Sequence, residues 1–210
     1  AEVCTPSRAA LLTGRLPPRN GMGSDNRRVL FPQSAHGLPP SELTIARLLK
    51  SRGYATGCFG KWHLGHLPPH QPLDHGFDTY FGIPYSNDMD RVPNVGPAGR
   101  EAFLRPQSAY WNVPLMLDRE IIERPAEQST LTRRYTESAA RFIREHKSEP
   151  FFVYLPHTMP HVPLFRSEQF AERSARGLYG DVIEELDWSV GQVLQTLREE
   201  GLAVNSLVWF

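Results

Sequence analysis

The sequence predicts an α/β fold: a mainly parallel sheet sandwiched by helices. Three observations carry this reading. Short runs of strand length alternate with segments of helical periodicity, which is the rhythm of a β-α-β chain. One run, Phe151 to Leu155, is apolar or aromatic at every position, as expected of a central parallel strand covered on both faces. Two long segments, Thr130 to His146 and Tyr179 to Glu200, place their apolar residues on one helical stripe.

Taken in order, Cys4 to Gly14 reads as the first helix. Thr5 suits the N-cap, Pro6 the first helical position, where a missing N–H costs nothing, and Gly14 the left-handed stop. Leu16 to Pro40 is rich in Pro, Gly and Asn and is a loop by composition, its Arg27-Arg28 pair solvated. Ser41 is expected to cap a second helix running to about Arg52, with Leu43, Ala46, Leu48 and Leu49 as its apolar face and Gly53 as its end. Tyr54 to Phe59 then reads as a strand, and Phe77 to Pro84 as a short strand and turn. Residues 89 to 107 hold several prolines and no periodicity, the kind of insertion that carries substrate selectivity in α/β enzymes. Val113 to Ile122 suits a hairpin turning near Asp118-Arg119. The stripe of the first long helix is Leu131, Tyr135, Ala139 and Phe142, and Pro150 ends it. The second carries Ile183, Leu186, Val190, Leu194 and Leu197, with Asp187 expected as a buried structural partner and Gly201 as the stop. Ser206 to Phe210 reads as a last strand.

Composition bounds the function. At 210 residues the chain can bury a sizeable core and suits one domain or a large part of one. Basic and acidic residues balance at 23 each, so no global field recruits nucleic acid or an anionic membrane, and an anionic ligand must be held locally. The 2 cysteines, Cys4 and Cys58, make no disulfide framework, and Cys58 reads as a structural thiol. No apolar run reaches the length of a membrane span. The chain opens Ala1-Glu2-Val3 with neither an initiator Met nor a signal peptide, which reads as a fragment or a processed chain.

Two clusters carry chemistry. Cys4 sits at a helix start, where free N–H groups and the dipole favour an anion or thiolate, and Arg8 lies one turn further in. Only three residues separate them, which excludes a Cys-x5-Arg phosphatase loop. Lys61 and His63, bracketed by Gly60 and Gly65, would project to one side of an extended segment, a point charge beside an acid or base. Histidines 66, 70 and 75 follow among prolines, but with His63 they fit no recognised zinc spacing. Alone, each of these has a plain structural reading: a buried thiol, a surface Lys, a packed His.

The string from Cys4 to Arg15, C-T-P-S-R-A-A-L-L-T-G-R, decides between them, because it matches every position of C-x-P-S-R-x-x-x-L-T-G-R. That pattern resembles the signature of the type I sulfatases, in which the cysteine is oxidised to formylglycine and the hydrated aldehyde is the nucleophile. GYATGCFGKWHLG, residues 53–65, resembles the family's second signature, and GIPYSND, residues 82–88, its arylsulfatase branch. ELDxxVG, residues 185–191, resembles a scaffold segment of the same family. The resemblance implies an alkaline phosphatase-like fold and hydrolysis of an aryl or sugar sulfate ester. It gives Cys4 and Arg8 to nucleophile and activation, Lys61 and Ser86 to sulfate, and His63 to the base that releases sulfate. Of the two histidines after the apolar strand, His-x-Pro alignment selects His161 over His157 for the leaving alcohol. It also implies calcium, with magnesium as the alternative. The adjacent Asp pair and the Asp-Asn pair that bind the metal would fall outside this chain, so that Cys4, as formylglycine hydrate, is its own contribution and the chain alone is a weak or inactive enzyme. A formylglycine-generating enzyme is the implied maturation partner, a small-molecule or glycan sulfate ester the substrate, and a lysosomal, periplasmic or secreted compartment the setting. Alternatives are a phosphodiesterase or phosphonate monoester hydrolase sharing the signature, an inactive anion-binding domain, and a thiol enzyme using Cys4 and His63 directly.

Overall fold

A computed structural model describes residues 3–23 and 28–210. Arg27 lies outside the described residues. The core is a five-stranded sheet in the order β4-β3-β2-β1-β5. Strand β1 (Ala55–Phe59) pairs in parallel with β2 (Thr79–Gly82) on one side and β5 (Phe151–Tyr154) on the other. Strands β3 (Leu115–Leu117) and β4 (Glu120–Glu123) extend the sheet as an antiparallel hairpin turning at Asp118 and Arg119, with Asp118 at φ 53. The parallel part of this α/β sheet is therefore the three strands that carry the site.

Strand alternation divides the sheet into two apolar layers. Phe59, Phe81, Phe151 and Val153 join one cluster with Leu131, Tyr135, Ala139 and Phe142, the stripe of helix α4 (Leu131–Glu145). Cys58, Tyr80, Phe152 and Tyr154 join the other, with Ala9 and Leu12 of helix α1 (Cys4–Thr13) and Ala46 of helix α2 (Ile45–Lys50). Helix α3 (Glu101–Leu104) is one turn within the loop between β2 and β3, pinned by buried Ala102. Helix α5 (Gly177–Glu199) packs on α4 as an outer layer.

Several expectations are corrected. Val3, not Thr5, is the N-cap of α1, in extended backbone and without a side-chain cap bond, because Thr5 is committed elsewhere: its Oγ1 donates to the His63 carbonyl at 3.0 Å. Gly14 does stop the helix at φ 64. Thr44, not Ser41, caps α2, its hydroxyl accepting from the Arg47 N–H. Among the described residues β5 is an edge strand and half-buried rather than central. Ser206 to Phe210 forms no strand; Leu207, Trp209 and Phe210 are exposed. On α5, Ile183 and Asp187 face solvent, and the buried acids are Asp181 and Glu185, the latter one turn before Ser189, whose hydroxyl meets Thr136 of α4.

Candidate active site

The site begins where β1 does not stop. Beyond Phe59 the chain runs on between the segments that follow β2 and β5. Gly60 N–H donates to the Phe81 carbonyl (2.9 Å), Lys61 N–H to Pro156 (2.8 Å), Trp62 N–H to Ile83 (3.0 Å) and His63 N–H to Pro84 (3.1 Å). Two glycines permit this close passage. Gly60 sits at φ +142 with an added Cβ only 2.2 Å from the Pro156 carbonyl oxygen, and a Cβ on Gly82 would lie 1.8 Å from the Gly60 oxygen. The result gathers Lys61, Ser86 and the 156–163 loop at the carboxyl ends of the parallel strands, where ligands bind in open α/β sheets.

Helix α1 closes the site from the other layer. Cys4, half-buried, is its first residue, and Arg8 lies one turn on, its Nη1 donating to the Lys61 carbonyl oxygen. Lys61 is 1% exposed, and its ammonium donates to Ser86 Oγ at 2.9 Å and to the Cys4 sulfur. Burial, reinforced by the Arg8 charge, pulls the Lys61 pKa down to about 8, against the partial support of Cys4 and Asp88. Ser86 Oγ in turn lies 3.5 Å from both ring nitrogens of His161, whose Nδ1 lies 2.6 Å from the Val162 carbonyl. Burial and then the Lys61 charge lower the His161 pKa.

His63 is placed differently from the alternation expected of an extended strand. It is left-handed, at φ 59, a conformation costly for a side-chain-bearing residue. Its Nε2–H donates to the Leu30 carbonyl at 2.7 Å, and Thr5 Oγ1 bridges the same two partners by accepting from Leu30 N–H at 3.2 Å. That tautomer leaves Nδ1 as a bare lone pair, buried and without a partner among the described residues. Burial, and next the Lys61 charge, push the His63 pKa down to about 3, so the ring is neutral at working pH.

The structure thus brings Cys4, Arg8, Lys61, Ser86 and His161 together around one point, with His63 within reach of the Lys61 charge. His157 is not among them; its Nε2 bonds Ser189 Oγ at 2.8 Å, between the sheet and α5. Two neighbours went unnoticed in the sequence. The Tyr154 hydroxyl accepts a hydrogen bond from the Arg8 guanidinium; its strand reads as uniformly apolar, and only its placement on the α1 face of β5 marks it. Asp88, in the same string as Ser86, lends its charge to both Lys61 and His161.

The described residues do not by themselves fit a divalent cation. No group of three or more His, Cys, Asp or Glu is placed to hold one, and the side chain bonded to Cys4 is the Lys61 ammonium. The later histidines disperse: His70 Nδ1 meets the Leu38 carbonyl at 2.9 Å, His66 packs edge-on against Tyr85, and His75 is buried beside Trp62.

Comparison with known proteins identifies the family. The family model described as Sulfatase matches residues 1–210. Steryl-sulfatase of Mus musculus is 40% identical over 268 residues, covering 100% of this chain and 43% of the relative. N-acetylgalactosamine-6-sulfatase of Mus musculus is 40% identical over 223 residues, covering 99% of this chain and 40% of the relative. The chain therefore spans less than half the length of either. Among solved structures, Ps i-CgsB in complex with k-i-k-neocarrahexaose superposes with a TM-score of 0.73 at 27% identity, over 95% of this chain and 45% of that one. A family match along the whole length, and a cysteine, arginine, lysine, serine and histidine assembled at the strand ends, lead to one statement: the chain belongs to the sulfatase family.

Proposed function

We propose that the protein hydrolyses a sulfate ester of an aryl or sugar alcohol, with residue 4 as the nucleophile. The observation that carries this is the continuous array Cys4–Lys61–Ser86–His161, with Arg8 fixed beside it. Oxidised to formylglycine and hydrated, Cys4 supplies an oxygen nucleophile for sulfur and, through its second hydroxyl, an exit route by C–O cleavage. Arg8, Lys61 and Ser86 present N–H and O–H donors to the sulfate oxygens, preorganised and shielded from water. His161 gives a proton to the departing alcohol oxygen. His63 Nδ1 takes the proton of the hydroxyl that remains on residue 4, and negative charge bound between Lys61 and Arg8 strengthens this otherwise weak base by offsetting the charges that depress it.

The family generally uses a divalent metal. Calcium, or magnesium in its place, is the cation we infer, with its remaining ligands in the part of the sulfatase domain that this chain does not cover and residues 1–210 forming one partial domain. A formylglycine-generating enzyme as maturation partner and an extracytoplasmic setting follow from the same reading. No helix among the described residues is long and apolar enough to cross a membrane.

The test is the intact mass of the Cys4 peptide from the complete protein co-produced with a formylglycine-generating enzyme, followed by turnover of paired aryl sulfate and aryl phosphodiester substrates. A loss of about eighteen mass units from the thiol form, with the sulfate hydrolysed faster, is the expected result. An unmodified thiol whose alkylation abolishes activity would replace the reading with thiol chemistry, and a faster phosphodiester would replace the substrate class.

A further inference from the structure

We propose that Asp88 is a positioning residue that holds His161 as a cationic proton donor to the departing alcohol. This rests on the sulfatase reading above. Two loops are bolted together across the site. Ser86 Oγ lies 3.5 Å from both His161 ring nitrogens, and Asn87 Nδ2 donates to the Pro163 carbonyl at 3.0 Å and to Gln128 Oε1 at 3.1 Å, while Gln128 Nε2 donates back to the Asn87 carbonyl at 3.0 Å. Asp88 follows in the same turn, which Met89 N–H closes onto the Ser86 carbonyl at 3.1 Å. Its Oδ1 is buried and has no hydrogen-bond partner among the described residues. A buried carboxylate oxygen left without a donor is costly, and such an atom beside a reaction site demands a reason.

The reason lies in the proton inventory of His161. With Nδ1 2.6 Å from the Val162 carbonyl, a neutral ring spends its one proton there and has none at Nε2 to give. Donation from Nε2 requires the imidazolium. Charged and titratable groups reach His161 from three directions: Lys61 and His63 from the continuation of β1, Arg8 from α1, and Asp88 from the turn after β2. Burial first, then Lys61 and Arg8, oppose a second positive charge, and Asp88 is the carboxylate that favours it. Removing that charge leaves His161 facing Lys61 and Arg8 alone, and the proton is lost just where a poor leaving group needs it.

The experiment compares the complete wild-type protein with Asp88→Asn and Asp88→Glu on aryl sulfates of graded phenol acidity, from 4-nitrophenyl to 4-methylphenyl, none bearing a neighbouring hydroxyl. For Asp88→Asn the loss in kcat/KM should be roughly tenfold or more larger on 4-methylphenyl than on 4-nitrophenyl sulfate, because general acid help matters most to the poorer leaving group. The alkaline limb of its pH profile should move to lower pH, with Asp88→Glu restoring part of both effects. Both readouts are ratios within one sample, so a reduced folded fraction cancels. An equal loss along the series with an unmoved alkaline limb would overturn the proposal and leave Asp88 a structural residue. A wild-type protein that turns over neither these aryl sulfates nor a sugar sulfate would overturn the sulfatase reading instead.

Discussion

Lys61 shows what one buried cation can organise. Its ammonium reaches Ser86 and Cys4, its carbonyl receives Arg8, and its charge is felt by His63 and His161. Because it supplies a fixed donor and a full charge where the proposed sulfate would bind, Lys61→Met is expected to lower kcat/KM by roughly 10²- to 10³-fold. Ser86→Ala removes one hydroxyl but leaves the charge in place, so the expected loss is about tenfold, the effect of one net hydrogen bond. Steady-state kinetics on an aryl sulfate separate the two, and a Ser86→Ala loss as deep as that of Lys61→Met would mean the hydroxyl has a larger part than holding sulfate. Tyr154→Phe frees Arg8 from one of its two anchors and should cost only a few-fold. The side chains gathered at the candidate site were legible in the sequence because they sit in patterned strings. Tyr154 was not, since a tyrosine in an apolar run declares nothing until the sheet fixes which face it takes.

At the scale of elements, the site depends on β1 continuing as Gly60–His63 between two neighbours that press against it. Gly60→Ala would set a methyl 2.2 Å from a backbone oxygen at a φ that side chains avoid, and neither atom is a movable side-chain end. A loss of several kcal/mol is expected for Gly60→Ala, read as a large fall in thermal midpoint or in soluble yield. Gly53→Ala is the control, since its Cβ meets nothing within 4 Å although its φ, +83, is also positive. A Gly60→Ala protein as stable as Gly53→Ala would show that the passage between β2 and β5 can widen. Helices α1 and α4 and the hairpin were readable from periodicity and turn residues. The caps were not: Thr5 was drawn into bonding His63 and Leu30, and Thr44 took the cap that Ser41 offered on sequence grounds, its hydroxyl also donating to the His75 carbonyl at 2.5 Å. In each case a partner distant in sequence outweighed the local preference. Strand position was equally hidden, because an apolar run such as Phe151–Tyr154 fits an edge covered by helices as well as a centre.

For the whole molecule, the consequence of burying histidines is acid sensitivity. Burial holds His63 at about 3 and, for His157, lowers the pKa to about 4; His75 is also held at about 4, by burial and then the Arg47 charge. In the unfolded chain a histidine titrates near 6.5. Between that value and the folded ones the unfolded state binds more protons, so stability is fully present above about pH 6.5 and falls as pH drops towards 4. Each such histidine contributes a slope of at most about 1.4 kcal/mol per pH unit. Glu185 works the other way: burial raises its pKa, so it favours the folded state at the acid end and offsets part of the loss. His157→Gln keeps a group able to bond Ser189 Oγ while removing the proton site, and Ser189 stays tied to Thr136 at 2.5 Å. Urea midpoints measured at intervals from pH 7.5 to 5 should therefore fall for the wild type and fall less steeply, by about one proton's worth of slope, for His157→Gln. Equal slopes for the two proteins would mean that His157 is already protonated in the folded state, and that the network between β5 and α5 accommodates a charge its burial argues against.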